Sequence, residues 1–194
     1  MHDFTGENGK PLHLIHNDLT PANVLVSYEG EVKLADFGAA TLGNPKQKPN
    51  TEQGVMGTLS YLAPEKLLGK KFDLRADLYA VGVLLYELAV GHPPFRHREG
   101  ETDMDVLERI TRGEFDPVDQ AGSKLPDALK STIVQAMALK PKKRFASAKD
   151  MAKSLGIDLE SEAAAQARTR RQFLLGAAMK SLFAPEFNKS AHRR

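Results

Sequence analysis

The sequence predicts a mainly helical fold of the α+β kind, a helical bundle carrying one small β-hairpin near its beginning. Three observations predict it. The run Leu78–Val90 is apolar along almost its whole length, broken only by Glu87, and is too long for an ordinary strand. Several further segments repeat apolar residues at helical spacing. Two short runs, Val24-Leu25-Val26 and Val32-Lys33-Leu34, flank Tyr28-Glu29-Gly30-Glu31 and read as strands joined by a glycine turn. A chain of 194 residues is long enough to bury one real core.

Taken in order, residues 1–11 are polar and turn-rich, with Gly6, Asn8-Gly9 and Pro11, and predict a loop. Leu12–Ile15 predicts a short strand leading into His16, and the hairpin follows. Residues 39–56, rich in Gly, Pro, Asn and Lys, predict a long loop. A helix begins near Asp73–Arg75 and runs to Val90, where Gly91 and Pro93-Pro94 stop it. A helix apolar on nearly every face belongs at the centre of a domain. Asp103–Arg112 predicts a surface helix with Met104, Leu107 and Ile110 on its inner stripe. Pro126–Ala138 predicts another, with Pro126 in its first turn and Leu129, Ile133, Val134 and Met137 recurring at helical spacing. Ser147 suits the N-cap of a short helix to Leu155. A last helix, about Leu159 to Phe183, starts alanine-rich and ends in Phe173, Leu174, Leu175, Met179, Leu182 and Phe183. It is expected to pack back on the body of the protein. There is no internal repeat.

Composition narrows the function. The absence of cysteine excludes disulfides and thiolate metal sites. The net charge of +2 is uneven: residues 1–155 are nearly balanced, and the basic excess lies in residues 156–194, where it reads as a solvated face. No basic-then-apolar leader opens the sequence, and no run is long enough to cross a bilayer. Thr169-Arg170-Arg171-Gln172-Phe173-Leu174-Leu175 has the lettering of a twin-arginine export signal but lies at the wrong end of the chain. The expectation is a cytoplasmic protein with no nucleic-acid or membrane partner.

The chemistry lies in His16-Asn17-Asp18-Leu19-Thr20-Pro21-Ala22-Asn23 and, thirteen residues after Asn23, Asp36-Phe37-Gly38. Asp18, Asn23 and Asp36 are oxygen-bearing side chains at the ends of short apolar runs, suited to accepting a hydroxyl proton and holding a hard cation. Further motifs follow in order: Gly57-Thr58-Leu59-Ser60-Tyr61-Leu62-Ala63-Pro64-Glu65, Asp77 opening the central helix with Gly82 and Tyr86-Glu87 inside it, then Gly91 with Pro94-Phe95, and Pro141-Lys142-Lys143-Arg144-Phe145. Together these resemble the C-terminal lobe of eukaryotic-like serine/threonine protein kinases over residues ~12–155, with residues 1–155 as that lobe and 156–194 as a helical tail.

The resemblance implies phosphoryl transfer from ATP, with Mg2+, to a Ser or Thr hydroxyl of a protein substrate. It implies Asp18 as the group that accepts the hydroxyl proton, Asn23 and Asp36 as magnesium ligands, and Leu25 as a nucleotide contact. His16 and Phe37, followed by Gly38, would stack in an apolar spine; Thr58 is a structural position of the activation segment. Glu65 and Arg144 would form a buried ion pair, and Asp77 would accept backbone N–H bonds from the catalytic loop. Two residues depart from the family. Asn17 replaces the arginine that usually pairs with a phosphorylated activation loop. Thr20 stands where a lysine stabilises the transferring phosphoryl group, so this catalytic position carries a hydroxyl and no charge.

The sequence contains no G-x-G-x-x-G and no V-A-I-K-like lysine strand before His16, so the expected N-terminal lobe is missing, and the isolated chain is expected to be truncated and weakly active or inactive. Its partner would be an N-lobe or a protein replacing one. Two rivals stand beside this reading: a non-enzymatic, pseudokinase-like interaction module, and a small-molecule kinase of the aminoglycoside or choline type.

Overall fold

The structure, a computed structural model, describes residues 6, 9, 12–42, 59–118, 125–158 and 162–182. The chain divides into two compact units. One holds the residues up to Pro21 together with Asp36–Gly156; the other holds Ala22–Ala35 together with the residues from Ile157 onward.

In the first unit β1 (Leu14–Ile15) pairs antiparallel with β2 (Thr41–Leu42), Leu14 opposite Leu42 and Ile15 opposite Thr41. Here the structure differs from the expectation of an unbroken loop from residue 39. A two-residue strand needs only one pair of hydrogen-bonded neighbours, and the surrounding polar sequence hides it. Helices α1 (Pro64–Leu67), α2 (Arg75–Val90), α3 (Asp103–Arg112), α4 (Asp127–Ala136) and α5 (Ala148–Ser154) follow among the described residues.

Helix α2 is the axis of the core. Asp73 Oδ1 accepts the Arg75 N–H at its start, and Gly91, at φ 88°, ends it in the left-handed region that glycine tolerates. Leu78, Tyr79, Val83 and Tyr86 are buried. Gly82 lets α4 approach closely: a Cβ there would lie 2.8 Å from the Ala136 Cβ. The helix is not apolar to its end, since Leu88 is 82% exposed.

Helix α3 starts with a capping box, the Thr102 side chain accepting from the Asp105 N–H and the Asp105 side chain accepting from the Thr102 N–H. Its buried face is Val106, Arg109 and Ile110, whereas Met104 is exposed. The predicted stripe was therefore rotated by part of a turn, because Arg109 buries a long stem whose charge meets Glu101 at 2.8 Å. In α4, Ile133 and Ala136 are buried and Val134 points outward. Ser147 Oγ accepts the Asp150 N–H and caps α5.

The second unit contains the hairpin and the last helix. Strands β3 (Val24–Val26) and β4 (Val32–Leu34) pair antiparallel with Val24 opposite Leu34. Ser27 Oγ accepts from the Glu29 and Glu31 N–H groups, and Gly30 turns at φ 81°. Helix α6 (Glu162–Leu182) packs on this turn backbone to backbone. A Cβ on Gly30 would meet the Gln172 carbonyl oxygen at 1.9 Å, and one on Gly176 would meet the Glu29 carbonyl at 2.8 Å. Glycine on both sides is what allows the contact. Phe173 and Leu174, expected in an inner apolar patch, are exposed.

Candidate functional site

The segment from His16 to Asp18 leaves β1 and is fixed by side chains remote in sequence. Asp77, in the first turn of α2, accepts the His16 N–H at 2.8 Å and the Asn17 N–H at 3.0 Å. An ionised acceptor makes both bonds charge-assisted, and Asp77 is 2% exposed. Asn17 adopts φ 70°, a left-handed conformation that asparagine tolerates better than most side chains. Its amide nitrogen donates to Thr41 Oγ1 at 2.8 Å and to the Ala39 carbonyl at 3.0 Å. The residue before Asp18 is thus tied to the strand that follows Asp36-Phe37-Gly38.

The Asp36 segment is shaped locally. Asp36 sits at φ 56° and its Oδ1 accepts the Gly38 N–H at 3.1 Å, capping a short 3-10 turn over Phe37–Ala39. Its carboxylate is exposed. The His16 ring, fully buried, lies 4.7 Å from the Phe37 ring at an interplanar angle of 52°, a tilted contact; Phe37 itself is 46% exposed. Asp18 is half-buried, and Thr20 is buried.

Asn23 and Leu25 belong to the second unit. Asn23 closes a 3-10 turn before β3, and its carbonyl accepts the Ala35 N–H at 2.9 Å. Leu25, in β3, is 54% exposed. Thr58 lies outside the described residues.

Behind the loop, Glu65 and Arg144 form a bidentate pair at 2.6 and 2.7 Å, with side chains 5% and 0% exposed. Arg144 also donates to the Ala138 and Arg75 carbonyls and lies over the Tyr79 ring. Burial pushes the Tyr79 phenol well above its ordinary pKa. Sequence reasoning passed over one residue here. Lys66, next to Glu65, is 6% exposed and donates to the Asn17 carbonyl at 2.9 Å. A lysine between Glu65 and Leu67 carries no sequence signal of burial.

Asn23, in the second unit, and Asp36, in the first, each carry an oxygen donor of the kind a hard cation takes. Among the described residues no cluster of three or more His, Asp or Glu stands ready to hold a metal by itself. Magnesium keeps few protein ligands and takes its remaining oxygens from water and phosphate.

The protein kinase domain model matches residues 11–155. The chain belongs to the protein kinase family. It resembles eukaryotic-like bacterial kinases. It is 39% identical over 155 residues to the tyrosine-protein kinase MasK of Myxococcus xanthus, covering 79% of this chain and 23% of that protein. It is 36% identical over 148 residues to the probable serine/threonine-protein kinase PknB of Corynebacterium glutamicum, covering 74% of this chain and 22% of that one. Against the serine/threonine-protein kinase PknB of Mycobacterium tuberculosis it is 32% identical over 150 residues, covering 77% and 23%. The matched region therefore spans less than a quarter of each relative's length. Within the family fold the helical content and the small antiparallel sheets are as expected, and no helix among the described residues is long and apolar enough to cross a membrane.

Proposed function

We propose that residues 12–155 act as the C-terminal lobe of a serine/threonine protein kinase, with residues 156–194 as a separate helical tail. Asp18 accepts the proton of the substrate hydroxyl, Asn23 and Asp36 hold magnesium, and Leu25 contacts the nucleotide. When bound, magnesium would neutralise charge on the phosphates of ATP. Thr20 supplies a hydrogen-bonding hydroxyl to the phosphoryl group in place of a cation. The observation that carries this reading is the double acceptance of the His16 and Asn17 N–H groups by Asp77, which sets the backbone leading into Asp18. The buried Glu65–Arg144 pair supports it, since it anchors the segment that ends at Ala63-Pro64-Glu65.

Serine or threonine is the favoured acceptor because relatives named PknB are serine/threonine kinases. MasK, named a tyrosine kinase, makes acceptor identity an outcome to be read. The family match favours a protein acceptor over a small-molecule one. Residues 1–15 hold no phosphate-clamping glycine loop or strand lysine, so nucleotide affinity depends on an N-lobe, supplied by preceding sequence or by a partner. The setting proposed is cytoplasmic. One observation favours the non-enzymatic reading: the Thr20 position is buried and uncharged.

Calorimetric titration of the 194-residue chain with ATP, with and without magnesium, tests the assignment. Binding should require magnesium, weaken in Asp36→Ala, and lie near the millimolar range, about −4 kcal/mol. Micromolar affinity would overturn the dependence on an N-lobe. Magnesium-independent binding would overturn the catalytic reading and leave the interaction module.

A further inference from the structure

Lys66 is a buried cation whose charge is directed at neutral groups. Its Nζ donates to the Asn17 backbone carbonyl at 2.9 Å and to the Asn17 side-chain oxygen at 3.3 Å. Its ammonium lies 5.1 Å from the centre of the Phe72 ring. Among the described residues no carboxylate comes within ion-pair distance of it. Burying an ammonium without a directly paired carboxylate is costly, and the cost is reflected in a proton affinity lowered by desolvation, against which Asp77, Asp18 and Glu65 act at longer range. A side chain held at that cost must be fixing something whose position matters.

What it fixes is the peptide unit that joins Asn17 to Asp18, and other elements hold the rest of Asn17. The Asn17 N–H is held by Asp77 from α2, the Asn17 carbonyl by Lys66 from α1, and the Asn17 amide by Thr41 and Ala39 of the segment after Gly38. Asn17, the residue immediately before Asp18, is therefore restrained by three separate elements of one compact unit. The left-handed φ of Asn17 is the conformation those restraints enforce.

We propose that Lys66 is a positioning residue for Asp18, acting through the Asn17 carbonyl and constitutively, without any modification of the activation segment. Its catalytic consequence rests on the kinase reading above; its structural consequence does not. Lys66→Met keeps most of the apolar stem and removes the ammonium, with its donated bonds and its cation–π contact to Phe72, and it also relieves the desolvation of a buried charge. Lys66→Arg keeps charge and donors.

The test uses the full 194-residue chain labelled with 13C and 15N. In the wild type, the Lys66 ammonium should give a slowly exchanging signal coupled across the hydrogen bond to the Asn17 carbonyl carbon, a measurement that needs no variant. Lys66→Met should shift that carbonyl resonance and speed hydrogen exchange at Asn17 and Asp18 about tenfold, the loss expected for one charge-assisted bond. Exchange in α2 and α4 should not change, and Lys66→Arg should restore most of the protection. Where phosphoryl transfer is measurable, kcat should fall at least tenfold in Lys66→Met with KM for ATP unchanged. An unaltered carbonyl shift and unaltered exchange, or the absence of the coupled ammonium signal, overturns the proposal. Expected shifts together with magnesium-independent ATP binding in the wild type would overturn the kinase reading alone.

Discussion

Removing Arg144 is the perturbation whose cost the structure defines most fully. Its guanidinium makes two bonds to Glu65 at 2.6 and 2.7 Å, one to the Ala138 carbonyl at 2.8 Å, one to the Arg75 carbonyl at 3.0 Å and one to the Leu139 carbonyl at 3.4 Å. Neither charged side chain has appreciable solvent access. Arg144→Met leaves a carboxylate buried without its partner and removes one donated bond from each of three carbonyls. Breaking such a pair typically costs about 3–5 kcal/mol. The Tyr79 ring under the guanidinium, 4.8 Å away, adds about 0.5–2 kcal/mol to the upper side of that range. Glu65→Gln should cost less, about 1.5–3 kcal/mol, because the guanidinium retains its carbonyl acceptors and an amide oxygen. The double replacement Glu65→Leu with Arg144→Met should be milder than the sum of the singles, since no charge is then left buried. Urea unfolding at pH 7, followed by far-ultraviolet circular dichroism, measures all of these. A loss below about 1 kcal/mol for Arg144→Met, or additive effects in the double variant, would refute the reasoning.

Two further predictions concern packing and acid stability. Gly82→Ala should destabilise despite alanine's better helix propensity of about 1 kcal/mol, because its methyl would press on Ala136 and Met137; a raised urea midpoint would contradict the α2–α4 contact. The Glu101 carboxyl is held below its ordinary pKa, first by the Arg98 N–H and then by Arg109. Its contribution is therefore present above the unfolded carboxyl value and lost as pH falls through the folded one. The wild type should lose more stability than Glu101→Gln below about pH 4.5, and equal acid slopes in urea titrations would refute the assignment.

The motif residues were readable because each pairs a residue type with a turn or helix end that its neighbours also demand. Asp77 is the clearest case: the family resemblance implied that it would accept backbone N–H bonds from the loop, and its oxygens accept those of His16 and Asn17. Helix α2 was legible from its continuous apolar run and glycine stop. Illegible features depend on contacts rather than on local pattern. Nothing adjacent to Lys66 signals that its ammonium turns inward, and Met104 looked as apolar as Val106 until Arg109 took the inner face. Asn17 was read as a loss, an arginine replaced; the structure uses its amide to join two segments.

The contact between Gly30 and Gln172 has a consequence for how the protein is made. The ribosome delivers the hairpin turn about 140 residues before the helix that lies against it. At about 5–20 residues per second that is an interval of roughly 10–30 s. Throughout it the newborn turn has only its own two strands for support, and a pair of strands alone is marginally stable in water. The turn is therefore completed only after the helix that lies against it has cleared the exit tunnel.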